Sequence, residues 1–293
     1  MPDAPAFNPL QHPMALTDPI WVSENSAWIT HIPFAMALIQ ILRPRTLVEL
    51  GTFKGDSYCA FCQSVLASGT GTRCFAIDTW IGDAHAGPIH QQVLGHLRAH
   101  HDPLYGSFST LVQSEFDAAA PRFGDGLIDL LHIDGLHTYE AVMHDFATWQ
   151  PKLSDRGVVL FHDTQVRERD FGVWRAWEEL SVNRPNFEFT HGFGLGVLGV
   201  GANLPQAFRE FLDAAHANPQ LIRQFFFIIG HRIELYRIAK LMIDGQMRNH
   251  QLLEQWLGAH GQGLNFPLPN PVTQPDLFIK HIAAEVERVT RAG

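Results

Sequence analysis

The chain has 293 residues, with 30 Asp and Glu against 21 Lys and Arg, for a formal net charge of −9. So acidic a chain excludes a general nucleic-acid binder, which needs basic groups to release counterions from phosphates. At 46% hydrophobic and 17% charged residues, it has the material for a core and is not globally disordered.

Cys59, Cys62 and Cys74 are the only cysteines. Three is few and odd, which argues against a disulfide framework and for a reducing, cytoplasmic setting. The first basic residue is Arg43, so the start lacks the charged region of a leader peptide. The densest apolar run, 225–229, is far below the roughly 20 residues that span a bilayer. Cys59 and Cys62 form a C-x-x-C inside an expected helix, with no second pair for zinc, and are read as packing.

Residues 1–25 carry prolines at 2, 5, 9, 13 and 19 and read as an irregular arm. A helix is expected over 26–42, ended by Pro44. Short apolar strands are then expected at 46–50, 73–78, 110–113, 127–134 and 157–161. Helices at 57–66, 139–150 and 173–180 alternate with them. This alternation predicts βαβ units. The fold expected is α/β, a Rossmann-like open parallel sheet with helices on both faces. Strands at 186–190 and 195–200, with glycines at 192, 194 and 196, predict a terminal antiparallel β-hairpin. Beyond Gly201 the pattern turns helical: 208–217, a long stretch 219–256 weakened by Gly230 and Gly245, and 275–291. The expected division is an arm (1–25), a core (26–203) and a helical C-terminal appendage (204–293). The apolar stripe 225–242 reads as a packing face or, if uncovered, a homodimer interface.

In an open parallel sheet, ligands bind beyond the carboxyl ends of the strands. The first strand leads into Glu49-Leu50-Gly51-Thr52-Phe53-Lys54-Gly55-Asp56-Ser57. Gly51 permits a tight turn and close approach of a ligand, and Gly55 can open a helix whose free N–H groups meet an anion. Glu49 is placed to bind an ammonium group. The second strand ends at Asp78-Thr79-Trp80, where such folds hold ribose hydroxyls; Trp80 either stacks on an adenine or packs. A dinucleotide site wants G-x-G-x-x-G, and Phe53 stands where the second glycine belongs. Two later strands end in His132-Ile133-Asp134-Gly135-Leu136-His137-Thr138 and Phe161-His162-Asp163-Thr164. Asp134 and Asp163, on neighbouring strand ends, would repel unless a cation lies between them, and oxygen ligands suit Mg²⁺ or Mn²⁺. His137 is placed to take a proton from a substrate hydroxyl. Thr138 is the expected N-cap of the following helix.

Together these blocks resemble a class I S-adenosylmethionine (SAM)-dependent methyltransferase. The likeness is to the methyltransferase domain 24-like subgroup, related to metal-dependent O-methyltransferases, and covers about residues 45–200. The resemblance implies that Glu49, Gly51, Thr52, Phe53, Gly55 and Ser57 line the cofactor loop. It implies Asp78 on the ribose, Asp134 and Asp163 on a divalent metal, and His137 as general base. Where catechol-type relatives carry an asparagine ligand, this chain has Thr164, so His162 is the candidate to complete the shell. The activity implied is O-methylation of a sugar or small secondary metabolite. The alternatives are an NAD-dependent oxidoreductase and a catalytically inactive scaffold subunit of the same fold. The histidine-rich stretch 85–101 reads as a lid or as a solvated helix and loop.

Overall fold

The computed structural model describes residues 7–259, apart from 25, 84, 86 and 89–91, together with 273, 274, 276, 277, 280, 281 and 284. The expected helix at 275–291 lies mostly outside these residues. The chain divides into two compact units, Met1–Ile233 and Glu234–Gly293.

The first unit opens with short 3-10 turns, Pro9–Gln11, Pro13–Leu16 and Ile29–His31, which run into helix α1 (Ile32–Leu42). The helix starts later than expected because Pro33 fills its first turn, where a missing N–H costs nothing. Arg43, at φ 42°, ends it before Pro44. Then follow β1 (Thr46–Leu50), α2 (Asp56–Ser68), β2 (Arg73–Asp78), a small ribbon of β3 (Gly82–Asp83) and β4 (Gly87–Pro88), and α3 (Gln92–Tyr105). Next come β5 (Ser109–Gln113), α4 (Phe116–Ala119), β6 (Ile128–Ile133), α5 (Tyr139–Trp149), β7 (Leu153–His162) and α6 (Val173–Leu180). The series closes with β8 (Asn186–Phe189), β9 (Leu195–Gly199), α7 (Gln206–Ala217) and α8 (Pro219–Ala259).

Seven strands form one sheet in the order β5-β2-β1-β6-β7-β9-β8. The first five are parallel, and β9 runs antiparallel to both β7 and β8, so the terminal hairpin is present. The order reverses between β1 and β6, and such a switch point opens a crevice at the carboxyl edge. β7 begins four residues before the expected start, because Leu153 pairs with Ile128 across a register shift.

Successive strand residues face opposite layers. Leu47, Leu130 and Leu160 point into a core with Phe34, Phe61, Phe211 and Phe226, from α1, α2, α7 and α8. Val48, Leu131 and Phe161 point into a second core with Phe146, Trp149 and Trp177, from α5 and α6. The stretch from 204 to 233 thus packs with the first unit. Gly230 leaves α8 unbroken; a Cβ there would lie 2.3 Å from the Thr30 carbonyl oxygen, so it is where the helix backbone meets residue 30. In the second unit, Leu235, Tyr236, Leu241 and Met242 of α8 are exposed. Among the described residues, no helix is long and apolar enough to cross a membrane.

Candidate active site

A cavity of about 430 Å³ lies at the carboxyl edge of β1, β2, β6 and β7. Its wall includes Gly51, Thr52, Phe53, Ser57, Asp78, Asp134, His137, His162 and Asp163, nine of the twelve residues expected from sequence.

The β1–α2 loop forms one side. Gly51 has φ +83°, and a Cβ there would fall 2.0 Å from the Asp134 carbonyl oxygen. Its glycine therefore answers to the neighbouring strand end, with no ligand needed to explain it. Gly55, at φ +82°, caps α2 and faces Leu97. Asp78 ties the loop down: its Oδ2 accepts from the backbone N–H of Thr52 at 2.9 Å and of Phe53 at 2.8 Å, and its Oδ1 accepts from that of Trp80 at 2.7 Å. Oδ2 is thereby saturated, while Oδ1 keeps a lone pair. Thr52 Oγ1 is buried with no hydrogen-bond partner among the described residues, an unmet requirement on the cavity wall.

Two of the residues expected to meet the cofactor, Glu49 and Trp80, lie off the cavity wall. Glu49 is wholly buried and absent from the cavity wall. Its register opposite His132 turns it inward, and its Oε2 accepts from His132 Nδ1 at 2.8 Å. Trp80 is 2% exposed and also off the wall. Its ring packs in the core, and Nε1 donates to the Phe53 carbonyl at 2.9 Å.

The other side holds the acidic centre. Asp134 follows β6, and Asp163 follows β7 in the left-handed region at φ 63°. Asp134, His162 and Asp163 each offer a ligand atom, all within 4.8 Å of one another. His162 Nδ1 lies 3.3 Å from Asp134 Oδ1 and 3.5 Å from Asp163 Oδ2. His137 Nε2 lies 3.5 Å from Asp134 Oδ1 and 3.0 Å from Asp163 Oδ2. Burial alone would raise the Asp163 carboxyl, but His162 and His137 outweigh it and hold it down at about 2. Asp134 is held well below the carboxylate range, against burial, by His162 and then His137. Burial likewise works against charge on His137, and the two carboxylates overcome it, raising the ring to about 9. In this arrangement His137 is a protonated counter-ion. Thr164 is buried off the cavity wall, with Oγ1 against Gly194. As expected, Thr138 caps α5, its Oγ1 accepting from Ala141 N at 3.2 Å.

Several residues of the site carried no sequence signal. Trp28 lines the cavity from the segment before α1, and Glu115 and Phe116 line it from the β5–α4 turn. The histidine stretch divides. His101 is buried in α3, with Nε2 2.7 Å from Ser109 Oγ and Nδ1 2.8 Å from Asp102. Those distances mimic a nucleophilic triad, but Ser109 Oγ is buried against Tyr58 and does not line the cavity. His85 instead lies at the site, with Nδ1 3.2 Å from His137 Nδ1. His90 lies outside the described residues.

With this geometry in hand, comparison with known proteins is decisive for one segment. Residues 48–164 match the family model of a methyltransferase domain. This stretch is a methyltransferase domain. The match spans both Gly51 and Asp163, the two sides of the cavity, and decides against the oxidoreductase alternative. A curated relative, "Uncharacterized protein y4gI" of Sinorhizobium fredii, is 47% identical over 191 residues, which is 65% of this chain and 21% of that protein. The chain thus spans about a fifth of that relative's length. Among solved structures, CalS11, a calicheamicin methyltransferase, is 17% identical with a TM-score of 0.47, covering 59% of this chain and 79% of its own. The O-methyltransferase TomG of Streptomyces achromogenes, solved with SAM, is 16% identical with a TM-score of 0.42, covering 62% and 92%. A methyltransferase from Geobacter sulfurreducens is 18% identical with a TM-score of 0.44, covering 59% and 80%. At such scores the likenesses bear on no residue's role.

Proposed function

We propose that the methyltransferase domain binds SAM and transfers its methyl group to a hydroxyl of a small-molecule or glycoside acceptor, with a divalent metal and His137 assisting. The observation that carries this reading is the placement of His137, Asp134 and Asp163 on the same cavity wall as the Asp78-anchored loop.

The residues present fit both groups. For the cofactor there are the cavity itself, the unpartnered Thr52 hydroxyl, Ser57 at the start of α2 and the remaining lone pair of Asp78 Oδ1. Thr52 and Ser57 would hold the amino-acid end, and Asp78 the ribose. For the metal there are two carboxylates and one imidazole at ligand spacing, a set that suits Mg²⁺ or Mn²⁺. When bound, SAM supplies an electrophilic methyl group whose bonding electrons return to sulfur, and the ion supplies positive charge that acidifies a hydroxyl.

The chain's own part is to position and to move a proton. The acceptor oxygen gains the methyl group, and its proton passes to His137 Nε2. That nitrogen accepts a proton only when the ring is neutral. The two carboxylates that keep it charged are the same pair that fits a divalent cation. The buried free thiols Cys59, Cys62 and Cys74 are in keeping with a reducing, cytoplasmic setting.

The test pairs calorimetric binding of SAM and S-adenosylhomocysteine with turnover on a panel of hydroxylated acceptors. His137→Ala is expected to keep cofactor affinity within about threefold and to lose turnover by about 10²–10⁴. Undiminished turnover in that variant, or no SAM binding by the wild-type chain, overturns the reading.

A further inference from the structure

Met14 and Ala15 are buried near the start of the chain, and Trp28 and Ile29 are buried just before α1. Between these two anchors no described residue is buried, although Trp21 and Val22 lie half-buried against the core. The intervening chain is fastened by hydrogen bonds to the β1–α2 loop and to α2. The backbone N–H of Ile20 donates to Gln63 Oε1 at 2.8 Å, and Gln63 Nε2 donates to the Asp18 carbonyl at 3.0 Å. Trp21 Nε1 donates to the Lys54 carbonyl at 2.9 Å, and Lys54 Nζ donates to the Glu24 carbonyl at 3.2 Å. Ser23 gives Asp56 two bonds, from its N–H to Oδ1 and from its Oγ to Oδ2, each at 2.6 Å.

A surface hydrogen bond replaces one to water and gains little net free energy. A stretch with few buried apolar contacts and many exposed hydrogen bonds therefore opens more readily than the core. This stretch also leads directly to the cavity. Ser26, Ala27 and Trp28 stand on its wall together with Thr52, Lys54, Asp56 and Ser57. The fastening points Lys54 and Asp56 lie in the chain between Thr52 and Ser57, the pair proposed above to hold the amino-acid end of SAM. Among the described residues, no hydrogen bond of residues 16–24 reaches Asp78, the proposed ribose ligand. The matched methyltransferase stretch begins only at residue 48, so this part of the wall lies outside it. We propose that residues 16–24 form a strap whose fastening to Gln63, Lys54 and Asp56 closes the cavity at the amino-acid end of the bound cofactor. A ligand that binds the closed form better also stabilises it, and loosening the fastenings lowers that ligand's affinity in turn. The inference rests on the proposed binding of SAM, and it adds the arm to the cofactor site.

The test uses the full-length chain and two ligands, S-adenosylhomocysteine and 5′-methylthioadenosine. The second keeps the adenosine and the sulfur but lacks the amino-acid group. Hydrogen exchange is followed at the amides of Ile20 and Ser23, whose N–H groups are two of the fastenings. Saturating S-adenosylhomocysteine is expected to slow both at least about tenfold, and saturating methylthioadenosine to leave them within about twofold of the free chain. Ser23 and Gln63 lie off the cavity wall, so their substitution loosens the strap without touching the ligand. In calorimetry, the double variant Ser23→Ala, Gln63→Leu is expected to bind S-adenosylhomocysteine about tenfold more weakly, the equivalent of one or two lost hydrogen bonds. Its affinity for methylthioadenosine should stay within about twofold of wild type. Exchange unchanged by S-adenosylhomocysteine, or equal losses of affinity for the two ligands, overturns the strap. If the double variant does not fold, the wild-type exchange rates alone decide. A wild-type chain that binds neither S-adenosylhomocysteine nor SAM overturns the functional reading and the strap with it, whereas binding without protection of Ile20 and Ser23 overturns the strap alone.

Discussion

His137 Nε2 lies 3.0 Å from Asp163 Oδ2, across the gap between two adjacent strand ends. Asp134 shares the same imidazole at 3.5 Å. Two carboxylates so close need positive charge between them. In this structure the charge comes from His137 and His162, so a divalent ion would enter a place already balanced by protons.

Removal of divalent ions should therefore silence the enzyme without unfolding it. Treatment with EDTA is expected to abolish turnover, and added Mg²⁺ or Mn²⁺ to restore it. Calorimetric titration of the wild-type chain with Mn²⁺ should show one site, weakened about 10–100-fold or more in Asp134→Asn. Turnover indifferent to EDTA removes the metal from the mechanism.

Asp78 serves the loop before it serves any ligand. Asp78→Ala leaves the N–H groups of Thr52, Phe53 and Trp80 without their acceptor. The expected cost is about 2–4 kcal/mol of stability, together with at least a tenfold loss of SAM affinity. Asp78→Asn keeps an acceptor oxygen and should lose less of both. Denaturant melts and calorimetry check this; equal behaviour of the two variants would refute it.

Asp145, whose carboxylate packs against Gly135 of the cavity wall, gives the fold a pH dependence. Burial pushes its carboxyl up to about 7, with Asp117 adding to the shift and His144 opposing it. A raised carboxyl favours the neutral form in the folded chain. Between about pH 4 and pH 7 the folded state thus binds more protons than the unfolded state, and this group's contribution to stability falls as pH rises. Asp145→Asn is expected to be more stable than wild type by about 1–3 kcal/mol at pH 8, with the difference gone by pH 4. Thermal melts across this range test it; a difference constant with pH would contradict the assignment.

Gly51 and Gly69 separate two costs of a side chain. Both have positive φ, but a Cβ at Gly51 would meet the Asp134 carbonyl oxygen at 2.0 Å, while at Gly69 it would meet nothing within 4 Å. Gly69→Ala should cost about 1 kcal/mol, from backbone strain alone. Gly51→Ala should cost well over 2 kcal/mol and disturb cofactor binding, because two loop backbones would be forced apart. Similar melting temperatures for the two variants would be inconsistent with this geometry.

The sequence located what is local. Strands 46–50 and 73–78 and helix 173–180 were placed to the residue, because apolar runs bounded by Gly, Pro and Asp carry that information within a few positions. The same locality placed Asp134 and Asp163 at strand ends. What it could not supply is register and distance. Glu49 looked like a ligand carboxylate because it stands near a strand end, but only the pairing of Glu49 with His132 across β1 and β6 shows that it faces inward. His85 is 52 residues from His137 and belongs to no motif, so its contact with that ring is purely a product of tertiary folding. Trp28 joins the cavity in the same way, from residues expected as the first turn of a helix that in the structure precede the 3-10 turn Ile29–His31.

The left-handed backbone at Asp163 shapes how this site can drift. At φ 63°, Asp, Asn and Gly are tolerated, and bulkier or β-branched side chains are strained by about 1–2 kcal/mol. The cheapest neighbouring residues in sequence space therefore erase the charge and keep the turn. A descendant that took that step would retain its sheet and cavity while losing one of its two carboxylates. Decay of this site would then begin as a change of chemistry inside an unchanged shape, with the cavity outlasting the charge that lines it.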